Sequence, residues 1–179
     1  MATETENRLK DDESKPGDRL LALEIRSRKF GFAVLQGAEL LDWGVRSFPG
    51  GLVGIEAAIG RLAFILKLYS PSVAIARRTR RVKDRSSMSA SRVLRKFRGA
   101  LKQRSIPLLV LPRRDVHNAL GCRTKQEIFA VVAHRLGQLK SKLPRARKPW
   151  EPERNIVAVF DAVATALAFR MLRESADNP

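Results

Sequence analysis

Between Leu20 and Phe48 the chain holds three short β-prone runs, with room only for tight turns between them. Leu20–Ile25 is almost wholly apolar. Phe30–Leu35 is rich in aromatic and β-branched residues, and Glu39–Phe48 (ELLDWGVRSF) follows a turn at Gln36-Gly37-Ala38. Strands this close pair as an antiparallel meander, because parallel neighbours need a crossover of a dozen or more residues. Pro49, Gly50 and Gly51 end the meander.

Beyond Gly51 the apolar period changes from two to about 3.6. Ile55, Ile59, Leu62, Leu66 and Tyr69 predict an amphipathic helix over 52–69. Ser72–Ala76 reads as a fourth strand. Val93, Phe97 and Leu101, four apart, predict a helix over 89–103, and Ile106–Leu111 a fifth strand. Thr124, with Glu127 three residues on, forms a capping box for a helix through Leu139. An alanine-rich last helix runs from Ile156 to Leu172. The order β-β-β-α-β-α-β-α-α predicts an α/β fold. It is a mixed five-stranded sheet, three antiparallel strands then β-α-β-α, with helices on both faces, the order of the ribonuclease H-like fold.

With 179 residues and 44% apolar content, the chain suits one domain with a real core. No window reaches the roughly 18 consecutive apolar residues of a membrane span. Residues 1–17 are polar and acidic on balance, and are expected to form a disordered tail rather than a secretory signal. The domain is expected over 18–174, with a basic, proline-rich loop at 140–154 and a flexible end at 175–179. A single cysteine, Cys122, supports neither a disulfide framework nor a cysteine-rich zinc site. The expected location is the cytoplasm, with association with the nucleoid left open.

The charge is the loudest compositional fact. Thirty-five Lys and Arg against 18 Asp and Glu leave +17, with a pI near 11.3, which calls for a polyanionic partner. The excess is concentrated: residues 76–104 hold twelve basic side chains and one acid, Asp84. A run of one sign repels itself unless phosphates neutralise it. Arg77, Arg78, Arg80, Arg81, Lys83, Arg85, Arg92, Arg95 and Lys96 are therefore assigned to nucleic-acid contact. In the loop after Lys140, Trp150 either stacks on an unpaired base or tucks against the domain.

From Leu21 the chain reads LALEIRSRKFGFA. This resembles, without a gap, the opening strand I-L-G-I-D-P-G-S-R-x-x-G-Y-G of the RuvC family of Holliday junction resolvases. Glu24 falls at the family's catalytic aspartate, and Ser27, Arg28, Gly31 and Phe32 match its S-R-x-x-G-Y. The family's fourth strand ends A-I-E; here Ala74-Ile75-Ala76 has alanine where the second acid belongs. Pro112, Val116-His117, Gly121 and Thr124–Ile128 follow the family's plan after the fifth strand. Asp161–Ala168 (DAVATALA) is similar to its D-A-A-D-A-L-A, with Asp161 near the first acid and Thr165 at the second. The resemblance spans about residues 19–173.

What the resemblance implies is divalent-metal-dependent phosphodiester hydrolysis. Four carboxylates hold two Mg²⁺ or Mn²⁺ ions, and a homodimer matches a two-fold junction. Only Glu24 and Asp161 remain as candidate catalytic and metal-binding acids, with Lys125 as the basic residue expected to reach a phosphate. Glutamate at position 24 lengthens the arm by roughly 1.5 Å, where a misplacement of about 1 Å can cost on the order of a hundredfold in rate. Plainer roles stay open: Glu24 pairing Arg26 or Arg28, Asp161 serving the helix dipole, Lys125 facing solvent beside the cap. His117 and His134 make no metal motif, Cys122 is an ordinary thiol, and Gly50, Gly51 and Gly54 form no phosphate loop.

The sequence thus predicts a RuvC-like protein that binds branched or structured DNA, with RNA also open, through a degenerate nuclease site. The alternatives are an active junction endonuclease with an atypical metal site, or a non-catalytic basic subunit of a ribonucleoprotein assembly.

Overall fold

The computed structural model of the chain describes residues 18–78, 85–146, 148 and 150–177. Five strands, β1 (Arg19–Ile25), β2 (Lys29–Gln36), β3 (Glu39–Ser47), β4 (Val73–Arg77) and β5 (Leu108–Leu111), form one sheet in the order β3-β2-β1-β4-β5. The first three are the predicted antiparallel meander, while β4 joins β1 and β5 joins β4 in parallel. The parallel pairings require crossovers, supplied by α1 (Gly51–Tyr69) and α2 (Arg85–Lys102). Then come α3 (Arg113–Ala119), α4 (Lys125–Arg135) and α5 (Ile156–Asp177).

The sheet divides two cores, as period-two alternation on buried strands requires. Leu21, Leu23 and Ile25 meet α1 and α2 on one face, where Phe97 and Leu101 of α2 are fully buried. Leu20 and Ala22 meet α4 and α5 on the other. Helix α5 is buried almost all round from Val157 to Ala168, because it lies between the sheet and α3 and α4. Its alanines and Gly31 set the spacing: a Cβ at Gly31 would stand 2.4 Å from the Ala158 carbonyl oxygen.

Helix α2 begins at Arg85 rather than at 89, and β5 at Leu108 rather than Ile106; three further departures stand out. Helix α3 is an added element of two turns; Pro112 stands at its N-cap and Val116 is its buried residue. Helix α4 carries the predicted capping box but stops at Arg135. Leu136 leaves helical angles before Gly137, and a 3₁₀ helix over Gly137–Lys142 then buries Leu139. Helix α5 continues to Asp177, so 175–177, expected to be flexible, are helical. The tail at 1–17 lies outside the described residues. No described helix is long and apolar enough to cross a membrane.

Candidate functional site

The same alternation aims the acids. Glu24 follows Leu20 and Ala22 onto the α5 face of β1. On β4, Ile75 takes that face while Ala74 and Ala76 pack against α1 and α2. The β4 residue beside Glu24 is therefore Arg77, not Ala76. Ala76, which the resemblance sets at the second acid, packs on the opposite face. Two acids that share cations must lie on one face of the sheet, and a shift of one residue reverses the face. On the face that Glu24 occupies, β4 presents an arginine rather than a carboxylate.

Glu24 and Asp161 do meet, as their place in the resemblance implies, but through cations. Arg77 Nη2 donates to Glu24 Oε1 at 2.6 Å, and Arg77 Nη1 lies 3.3 Å from Asp161 Oδ1. Arg26 Nη2 donates to Asp161 Oδ2 at 2.8 Å and stands 3.6 Å from Glu24 Oε1. Lys125 Nζ lies 3.3 Å from Asp161 Oδ2 and donates to Glu153 Oε1 at 2.9 Å, while Arg26 Nη1 pairs with Glu153 Oε2. Three cations and three carboxylates thus interlock at one end of the sheet. Thr165, at the family's second helix acid, is buried and donates to the Asp161 carbonyl at 2.8 Å.

Burial sets the electrostatics of this cluster. It pushes the Glu24 carboxyl above its ordinary range against the pull of Arg77, and the charge of Asp161 adds to the rise. Burial also works against charge on Arg77, but Glu24 and Asp161 outweigh it and hold its pKa above the usual arginine value. For Glu153 burial is outweighed by the hydrogen bonds and charges of Lys125 and Arg26, which lower its pKa. Removing one member of such a set leaves its partners buried and uncompensated, at a cost of several kcal/mol.

These residues do not fit the two divalent ions that the family resemblance implies. Both candidate acids are already committed to guanidinium groups, and Ala76 and Thr165 supply no carboxylate. Cations placed here would also face Arg26, Arg77 and Lys125 within a few ångströms of the same oxygens. No group of three or more His, Cys, Asp or Glu side chains arranged for a metal ion occurs among the described residues.

The basic residues divide. Arg92, Arg95 and Lys96 project from the exposed face of α2, with Arg98 beside them, and Arg78 is exposed after β4. Arg77 and Lys125, both assigned to nucleic-acid contact, are turned onto carboxylates of the same chain. Arg85 is the first residue of α2, and Arg80, Arg81 and Lys83 lie outside the described residues. Ser89 Oγ of α2 donates to the Ser27 carbonyl at 3.2 Å, tying the basic helix to the turn just past Arg26.

Trp150 is 77% exposed, with Lys148 Nζ 5.6 Å from its ring centroid, so the tucked arrangement does not hold. His117 contacts the Cys122 carbonyl at 3.2 Å, and burial raises the Cys122 thiol pKa, in keeping with an unreactive cysteine. Sequence reasoning named Arg26 only as a possible partner of Glu24, although its position two residues on predicts the same face. Glu153 carried no local signal.

No family model matches the chain, and no curated protein does. Solved structures match over nearly the whole described fold. RuvC of Thermus thermophilus in complex with a Holliday junction substrate aligns with a TM-score of 0.70 at 16% identity, over 88% of this chain and 96% of that one. The fold is that of RuvC. A second T. thermophilus RuvC structure gives 0.68 at 17% identity over the same shares. The yeast mitochondrial Holliday junction resolvase Ydc2 gives 0.53 at 13%, over 96% of this chain and 89% of that one. At such identities the likeness establishes the architecture, and the chemistry rests on the residues in place.

Proposed function

We propose that this chain is a RuvC-like nucleic-acid-binding protein that recognises branched or structured DNA without cutting it. The observation that carries the reading is Arg77, seated between Glu24 and Asp161 where a nuclease of this fold needs an acid. The exposed arginines and lysine of α2 supply a phosphate-binding face, and the +17 net charge supplies long-range attraction to a polyanion. The T. thermophilus RuvC structure with a Holliday junction substrate supports branched DNA as the class of ligand. A homodimer, or a place in a larger assembly, in the cytoplasm belongs to the same proposal.

The test is a panel of four-way junction, duplex, single-stranded DNA and RNA, with and without Mg²⁺ or Mn²⁺. The expected result is salt-sensitive binding that prefers the junction and leaves every strand intact. Metal-dependent cleavage, abolished by Glu24→Gln and Asp161→Asn, overturns it. Equal competition by duplex and junction favours a charged scaffold of a ribonucleoprotein instead.

A further inference from the structure

Glu153 comes from the segment just before α5, far from the strands in sequence, yet its carboxylate is shared between two cations on separate elements. Oε1 accepts from Lys125 Nζ at 2.9 Å, at the first residue of α4, and Oε2 pairs with Arg26 just past β1. A carboxylate whose two oxygens are divided between an arginine and a lysine stands as the two non-bridging oxygens of a phosphodiester would. Both cations are already oriented: Arg26 by Asp161 at 2.8 Å, and Lys125 by Asp161 at 3.3 Å and by the Phe129 ring. Arg26 Nε is buried with no acceptor among the described residues, so the guanidinium has donor capacity that Glu153 does not use. Beside the pair lies a cavity of about 370 Å³ where Lys125, Arg145 and Arg154 face two carboxylates, Glu151 and Glu153 itself, so the approach keeps an excess of positive charge.

We propose that Arg26 and Lys125 form a phosphate site that Glu153 fills in the free protein. A backbone phosphate of bound nucleic acid displaces that carboxylate. One anion replaces another, so the cluster keeps its charge balance while Glu153 moves out toward solvent. The inference rests on the nucleic-acid-binding reading above and adds to it a built-in competitor.

The experiment compares duplex DNA binding by the full chain and by Glu153→Gln, with Glu151→Gln as a charge-matched control two residues away. Glu153→Gln is expected to bind about tenfold tighter, the scale of one freed charge-assisted hydrogen bond, and Glu151→Gln within about twofold of wild type. The gain should vanish in a Lys125→Gln background. Millimolar inorganic phosphate should erode it more steeply than it erodes wild-type binding. Glu153→Asp keeps the charge but withdraws the arm; it should tighten binding about threefold, and decides alone where the glutamine variant fails to fold. Equal tightening by the two glutamine variants, or none by either Glu153 variant, overturns the inference while leaving binding through α2 intact. Failure of every variant, wild type included, to bind nucleic acid overturns both it and the reading beneath it.

Discussion

Arg77 at the end of β4 reaches Glu24 at 2.6 Å and Asp161 at 3.3 Å, so a single guanidinium joins the first strand to the last helix. Arginine suits this seat. Its planar fork presents several donors at fixed angles and stays charged when buried, whereas a lysine would offer one point charge. The bridge closes this end of the sheet with charges that the chain itself supplies.

Arg77→Ala should destabilise the fold by about 3–5 kcal/mol in urea denaturation, since Glu24 is left buried with a weakened counter-charge. The double variant Glu24→Leu, Arg77→Met removes both charges and should recover most of that loss, because Asp161 keeps Arg26 and Lys125. A cost under about 1 kcal/mol for the single variant would mean that the bridge does not hold the sheet end.

On α2, Arg92, Arg95 and Lys96 are exposed, while their neighbours Val93 and Phe97 are buried, so charge and packing separate cleanly. Changing all three basic residues to Gln should leave the melting temperature nearly unmoved. It should lower the slope of log affinity against log salt by about 0.9 for each duplex DNA phosphate that is no longer neutralised. An unchanged slope would place the phosphate-binding face elsewhere.

Trp150 is exposed, and its ring has a cation at hand in Lys148. Trp150→Ala should cost about 1–3 kcal/mol in affinity for single-stranded DNA, with little effect on duplex affinity or on unfolding. Equal losses on both substrates would exclude base stacking as its role.

The folded pKa of Glu153 lies below its ordinary value of 4.5, because Lys125 and Arg26 outweigh its burial. Its contribution to stability is therefore fully present above pH 4.5 and is lost as pH falls through the lower folded value. Glu24, raised by burial, acts in the opposite sense: its contribution is present below 4.5 and is lost as pH rises through its folded value. Wild type should thus be more stable than Glu153→Gln near neutrality, and the two unfolding curves should converge in acid. Glu127, also lowered, by the backbone N–H groups of Arg123 and Thr124, is common to both proteins and cancels in the difference.

The meander, the amphipathic face of α2 and the Thr124–Glu127 cap were legible because each is written in neighbouring residues: a period, a turn or a three-residue spacing. The meeting of Glu24 with Asp161 followed from the family resemblance rather than from any local pattern. The inward turn of Arg77 was not legible because it opens a run of like charge, and composition there speaks for solvent; only the register of β4 against β1 turns it inward. Glu153 joins Arg26 and Lys125 across long sequence separations, which no window along the chain can reveal. Helix α3 escaped because two turns with a single buried residue present too little periodicity to detect.

The interlocked charges at the sheet end carry a practical consequence. A centre that brings its own counter-ions owes nothing to the supply of dissolved ones. The architecture should persist unchanged in chelator, and starvation for magnesium should leave this protein's shape where it was.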